Sequence, residues 1–198
     1  MSLFHIDLPA LVKTLGYAGL FAVVFAESGL FFGFFFPGDS LLFAAGLLAS
    51  QGIFEVWLLA IILALAAIFG DSVGYWFGKK FGPAIFSRED SYFFHKKHIE
   101  RTKNFYEKYG SRTVILARFV PIVRTFAPIL AGVGSMSYRK FLSYNIIGGM
   151  LWSFVLTFLG YLLGAVVPSS ESYISLIAFI IIIVSFLPVV IEIRKQKK

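Results

Sequence analysis

The stretch LARFVPIVRTFAP, residues 116–128, decides the fold, because it places charges and prolines inside an apolar run. Arg118 and Arg124 flank Pro121, and Pro128 follows the second arginine. One arginine at the centre of a lipid-exposed helix costs about 3 kcal/mol on insertion scales, so two cost roughly 6 kcal/mol. A backbone interrupted by proline persists at membrane depth only where protein or a water-filled cavity surrounds it. The stretch is therefore expected to face the protein interior.

The composition is typical of a multi-pass membrane protein. Of 198 residues, 58% are hydrophobic and 15% are charged, and the mean hydropathy is +0.81. Cysteine is absent, which excludes a disulfide framework and a thiolate metal site. Most of the positive charge lies in one loop and the C-terminal tail, which indicates membrane topology rather than nucleic-acid binding.

Three segments are long and apolar enough to be predicted as transmembrane helices: 52–78, 139–166 and 173–193. Nine Lys or Arg residues lie within the loop or amphipathic helix at 79–112, and the tail at 194–198 is also basic. The positive-inside rule predicts that both are cytoplasmic. Arg139 and Lys140 would then lie on the same face as the loop, so residues 113–135 have to enter and leave by that face. This segment is predicted to be a re-entrant hairpin.

A first re-entrant hairpin is predicted at 16–50, where FAESGLFFGFFFPGDS interrupts another apolar run. Glu27 lies within this run, the Pro37-Gly38 pair breaks the chain, and Asp39 is placed to cap the following helix. The charges are again expected to face inward. The side of the membrane on which the N-terminus lies is left open.

Each hairpin leads into an apolar stretch with small residues four apart, a spacing that favours close helix packing. The glycines concerned are Gly70, Gly74, Gly78, Gly82, Gly160 and Gly164. The predicted fold class is an all-α integral membrane protein with two inverted repeats, each a re-entrant hairpin followed by a transmembrane helix. A C-terminal transmembrane helix completes a single membrane domain, which begins with an amphipathic segment at 1–15.

Four charges in the hairpins are the candidate functional residues: Glu27, Asp39, Arg118 and Arg124. Structural ion pairs, with Asp39 as a helix cap, are the plain alternative. The planar fork of arginine suits phosphate oxygens, so the two arginines are predicted to bind a phosphate. Glu27 and Asp39 are the candidates for proton coupling, because the pKa of a carboxylate in a low-dielectric cavity responds to desolvation and to nearby charges.

Asp71 is a candidate accessory residue, although solvation at the membrane interface or pairing with Lys79 or Lys80 is the favoured interpretation. His95 and His98 lie in the basic loop, outside the apolar segments. No catalytic residue, metal site, cofactor or nucleic-acid partner is predicted. A membrane phosphatase would need a nucleophile or base, and no histidine lies among the charges.

Three blocks resemble the DedA family of bacterial inner-membrane proteins, whose eukaryotic relatives carry the SNARE-associated Golgi, or VTT, domain. They are FAESGLFFGFFFPGDSLLFAAG, GDSVGYWFGKKFG and ARFVPIVRTFAPILAGVGSMSYRKFLSYNIIGGMLW, within residues 15–165. The acidic pair of the family matches Glu27 and Asp39, and its arginine pair matches Arg118 and Arg124.

The resemblance implies a lipid transporter of the bacterial cytoplasmic membrane that moves undecaprenyl phosphate between leaflets, with proton coupling as a further expectation. The alternatives are a phospholipid flippase, a proton-coupled transporter of ions or small molecules, and a non-transporting scaffold. The expected partners are the membrane and a polyprenyl phosphate or phospholipid, and a homo-oligomer is left open.

Overall fold

The computed structural model describes residues 8–29, 38–86, 112–119 and 121–166. Pro37, most of the basic loop, and the predicted helix and tail at 173–193 and 194–198 lie outside the described residues. Within the described ranges every regular element is a helix, as the predicted fold class requires. The helices are α1 (Leu8–Gly29), α2 (Gly38–Ser50), α3 (Val56–Phe86), α4 (Thr113–Ala117), α5 (Pro121–Val133) and α6 (Tyr138–Val166).

Three of these helices contain segments long and apolar enough to cross a membrane: Ala10–Gly29, Val56–Gly82 and Tyr138–Val166. The segment Ala10–Gly29 extends over residue 16, where the predicted amphipathic segment 1–15 meets the predicted hairpin 16–50. Gly16 lies at this boundary with a φ of 57°, a left-handed conformation that glycine adopts without steric cost. Helix α1 therefore consists of two helical segments that meet at a kink at Gly16.

Helix α3 begins beside a capping carboxylate and is longer than the predicted 52–78 segment. Glu55 accepts hydrogen bonds from the backbone N–H groups of Trp57, at 3.0 Å, and Leu58. The negative charge also suits the positive end of the helix dipole. One face of α3 is apolar and exposed, as expected of a surface in contact with lipid. Its residues are Trp57, Leu58, Ile61, Leu65, Phe69, Val73 and Trp76.

The chain forms two compact units. The first unit contains α1 as far as Val24, α2, α3 as far as Leu65, and α6 from Met150. Here α2 and α6 approach backbone to backbone. A Cβ added to Gly46 would lie 2.0 Å from the carbonyl oxygen of Thr157, and one added to Gly160 would lie 2.1 Å from that of Phe43. Only glycine fits at these two positions.

The second unit contains α1 from Phe25, α3 from Ala66, α4, α5, and α6 as far as Gly149. Here α5 and α3 make the close contact. A Cβ added to Gly132 would lie 2.1 Å from the carbonyl oxygen of Tyr75, and one added to Gly78 would lie 2.1 Å from that of Ile129. The buried core beside this contact consists of Tyr75, Val114, Ala131 and Phe141.

The helical run predicted to be a hairpin is interrupted beside Arg118. Helix α4 ends at Ala117 and α5 begins at Pro121, a position where the missing N–H of proline has no helical partner to lose. Pro128, which was expected to mark a second break, lies inside α5. The interruption therefore comes before the first proline.

A buried cluster of charges as the candidate functional site

Arg118 lies at the C-terminal end of α4 and is only 2% exposed. Its Nη2 donates hydrogen bonds to Oδ2 of Asp71 on α3 and to Oδ1 of Asn145 on α6. Both partners are buried as well. The interruption after Ala117 thus brings a guanidinium between two apolar helices.

Arg124 forms a second buried ion pair in the same unit. It lies in α5, three residues after Pro121, and its Nη2 donates to Oε1 of Glu27 near the end of α1. Both ion pairs lie in the second unit, and we refer to them together as the charge cluster. The formal sum of their four charges is zero.

The ion pair between Arg118 and Asp71 leaves hydrogen-bonding capacity unused. Within the described residues, Nε and Nη1 of Arg118 and Oδ1 of Asp71 have no hydrogen-bond partner. The pair is therefore joined through one nitrogen and one oxygen, rather than through the two parallel bonds common in arginine–carboxylate pairs. A buried polar atom without a partner costs free energy, and this pair leaves two donors and one acceptor able to bond a further polar group.

Asp39 is placed in the first unit, in the first turn of α2. Its Oδ1 accepts a hydrogen bond of 2.8 Å from the indole Nε1 of Trp152 on α6. A carboxylate in the first turn also interacts favourably with the helix dipole. The first unit thus holds an acid bonded to a neutral donor.

Of the residues predicted from the sequence, the structure brings together Glu27, Arg118 and Arg124. Asp71 joins them as a buried ion-pair partner, which differs from the interfacial position favoured for it. The reason is that α3 continues to Phe86, so Asp71 lies at the middle of this helix rather than near its end. The side chain of Pro121 and all of Pro37 lie outside the description, and Gly38 begins α2.

Asn145 is a member of the cluster that the sequence reasoning missed. Its Nδ2 donates a 3.0 Å hydrogen bond to the carbonyl oxygen of Ile68, while its Oδ1 accepts from Arg118. The available signal was an uncharged amide within the apolar stretch SYNIIGGMLW. Among the residues described, no group of three or more acidic or histidine side chains could hold a metal ion.

Comparison with known proteins places these residues within a family. The VTT domain matches residues 36–162, which is more than half of the chain. Protein DedA of Escherichia coli K12 is 47% identical over 203 residues, covering 99% of this chain and 92% of the relative. This chain belongs to the DedA family.

Two further relatives are membrane proteins by name. An uncharacterized membrane protein of Mycobacterium tuberculosis H37Rv is 45% identical over 176 residues, covering 88% of this chain and 77% of the relative. Inner membrane protein YqjA of E. coli K12 is 32% identical over 156 residues, covering 79% and 70%. No solved structure matches the chain. Together with the three apolar helices, these relatives identify a membrane protein of the DedA family.

Proposed function

We propose that this DedA-family protein moves a phosphate-bearing lipid across the bacterial cytoplasmic membrane, with undecaprenyl phosphate as its substrate. Such movement would return the carrier lipid of cell-wall synthesis for another cycle. The observation that carries the proposal is the buried guanidinium of Arg118, whose Nε and Nη1 have no partner in the described part of the chain. These two nitrogens can donate to the oxygens of a lipid phosphate.

The chemistry of the cargo matches the chemistry of the cluster. A lipid phosphate has to carry its charge through about 30 Å of hydrocarbon, while its isoprenoid tail can stay in lipid. Arginine replaces the hydration of a phosphate well, because its planar fork bonds two oxygens and keeps its charge at any physiological pH. Two buried arginines, Arg118 and Arg124, lie in the second unit.

The carboxylates have a proposed role as exchangeable partners. In the structure Glu27 and Asp71 balance the charges of Arg124 and Arg118. A phosphate that binds an arginine competes with the carboxylate already there. Glu27, once displaced from Arg124, would lose a counter-charge in a low-dielectric site, a change that favours the neutral form of a carboxyl group. Proton coupling would follow from this exchange, with Asp39 as a second candidate.

Two re-entrant hairpins arranged as an inverted repeat are part of the same proposal. The interruption between Ala117 and Pro121 supports a hairpin, because irregular backbone at membrane depth needs a protein or water environment. The repeat is supported by matched close contacts of glycine with backbone, at Gly46 and Gly160 in the first unit and at Gly132 and Gly78 in the second. The basic residues of the 79–112 loop and the tail favour a cytoplasmic C-terminus.

The test is reconstitution of the full chain into liposomes that contain labelled undecaprenyl phosphate or labelled phospholipid, with and without a pH gradient. We expect faster movement of undecaprenyl phosphate between leaflets than in protein-free liposomes, and a further change with the gradient. Movement of phospholipid alone would show that phospholipid, and not undecaprenyl phosphate, is the substrate. A rate equal to that of empty liposomes for both lipids would refute the proposal and favour a scaffold.

A further inference from the structure

Asn145 makes a second contact with Arg118, in addition to the ion pair between Arg118 and Asp71. The amide is completely buried on α6, and both of its ends are engaged. Nδ2 donates to the carbonyl oxygen of Ile68 at 3.0 Å, which fixes the side chain against α3, and Oδ1 accepts from Nη2 of Arg118. The amide therefore connects the backbone of α3 to the guanidinium.

The position of this contact on the guanidinium matters for ligand binding. Asp71 and Asn145 bond to the same nitrogen, Nη2. A carboxylate beside an arginine normally closes onto two nitrogens at once, which would use the fork. Here Oδ1 of Asp71 has no hydrogen-bond partner among the described residues, and neither do Nε and Nη1 of Arg118. Asn145 thus shares Nη2 with a carboxylate that makes a single contact with the guanidinium.

The face of α6 next to Asn145 is shaped to the same guanidinium. Gly148 and Gly149 follow Asn145 by three and four residues, so all three share one helix face. A Cβ added to Gly148 would lie 3.2 Å from Cδ of Arg118 and 3.4 Å from its Nε. A Cβ added to Gly149 would lie 3.5 Å from Cζ of Arg118 and 2.8 Å from Cγ1 of Ile68. The two glycines leave room for Arg118 to lie flat against the helix.

We propose that Asn145 is a positioning residue of the phosphate site, which holds Nη2 of Arg118 so that Nε and Nη1 stay available to the lipid phosphate. This inference rests on the proposed function. Without Asn145, Arg118 would close onto both oxygens of Asp71, and the phosphate would have to break two bonds instead of one. The expected consequence is weaker substrate binding with the transport step itself intact.

The test is the initial transport rate of the full-length protein in liposomes, measured against the mole fraction of undecaprenyl phosphate. For Asn145→Ala we expect the half-saturating mole fraction to rise about tenfold, the size expected when one hydrogen bond to a charged group is lost. The maximal rate should stay within about twofold of wild type, as when an interaction present in both ground and transition states is removed. Asn145→Ser takes its place if the alanine variant does not reach the membrane.

Two further variants separate positioning from a general structural role. Adding Asp71→Asn to Asn145→Ala removes the negative charge that would attract two nitrogens of Arg118. The half-saturating mole fraction should therefore fall back toward the wild-type value. Ser153→Ala is the matched control, because Ser153 also lies buried on α6 and donates to a backbone carbonyl of α3, that of Ala60, at 2.8 Å. This control should behave as wild type.

The outcomes distinguish the two proposals. A wild-type protein that moves no undecaprenyl phosphate defeats the proposed function itself. If wild type is active, three results would overturn the positioning role. Asn145→Ala could leave the half-saturating mole fraction unchanged, or Ser153→Ala could raise it equally. The third is a double variant whose half-saturating mole fraction stays as high as that of Asn145→Ala.

Discussion

The two units use the same kind of helix contact to support different chemistry. In the first, Gly46 of α2 and Gly160 of α6 let two backbones meet, and in the second, Gly132 of α5 and Gly78 of α3 do the same. Each contact pairs a glycine of a short helix with a glycine of a long one. The contacts described for the polar groups differ: in the first unit the indole of Trp152 donates to Asp39, and in the second two arginines form buried ion pairs with carboxylates. Close packing is thus common to both units, and the buried arginines of the described residues, Arg118 and Arg124, lie in the second.

The largest expected effect comes from breaking an ion pair of the second unit. Asp71→Ala leaves the charge of Arg118 buried without its partner, which should lower the free energy of unfolding by about 3–5 kcal/mol. The matched change in the first unit, Asp39→Ala, removes the acceptor of the Trp152 indole N–H, and a loss of roughly 1–3 kcal/mol is expected for that bond. Thermal unfolding of the purified variants in one detergent measures both.

Removing both charges sharpens the same comparison. The double variant Asp71→Leu with Arg118→Met leaves no unpaired charge, and stability should return to near the wild-type value while transport is lost. A double variant as unstable as Asp71→Ala would show that the burial of a lone charge is not the cause.

Replacing a contact glycine by alanine should lower the free energy of unfolding by a similar amount in the two units. Gly78→Ala and Gly160→Ala each force a methyl group to within 2.1 Å of a carbonyl oxygen, and a loss of about 1–3 kcal/mol is expected for each. Gly74→Ala is the control on α3, since its added Cβ would meet nothing closer than 3.5 Å and alanine is the better helix former. Equal sensitivity at Gly74 and Gly78 would argue against the close contact as the cause.

This part of the structure was accessible from the sequence, because helix periodicity is local. The spacing of Gly70, Gly74, Gly78 and Gly82 predicted close packing. The short distances from the added Cβ atoms confirm it at Gly70, Gly78 and Gly82, whereas the nearest atom at Gly74 is 3.5 Å away. The sequence did not identify which helix each glycine meets. That depends on how distant segments fold together, and spacing within one helix contains no such information.

Only some residues of the charge cluster could be predicted from the sequence, for a related reason. An arginine in an apolar run is conspicuous because lipid tolerates it poorly, so Arg118 and Arg124 stood out. Asp71 and Asn145 could be assigned only once the length of α3 and its contact with α6 were known. An uncharged amide costs less to bury than a charge, and Asn145 therefore gave a weak signal.

The smallest expected effect concerns the neutral donor of the first unit. Trp152→Phe removes the indole N–H that bonds Asp39, and a loss of about 1 kcal/mol is expected for one hydrogen bond. Trp57→Phe is the control, because this indole is 58% exposed on α3 and its removal should change stability by less than about 0.5 kcal/mol. Thermal unfolding of the two variants measures the difference. A Trp152 variant as stable as the control would show that the hydrogen bond to Asp39 does not contribute to stability.

The central claim is that the guanidinium of Arg118 binds a lipid phosphate, and Arg118→Lys tests it most directly. Lysine keeps the positive charge for Asp71 but lacks the planar fork. The measurement is the rate of movement of undecaprenyl phosphate and of the uncharged undecaprenol between leaflets, for wild type and Arg118→Lys in matched liposomes. We predict that wild type accelerates only the phosphate, and that Arg118→Lys loses this acceleration while its thermal stability stays near that of wild type. A lysine variant that moves the phosphate as fast as wild type, or a wild type that moves both lipids equally, would contradict the claim.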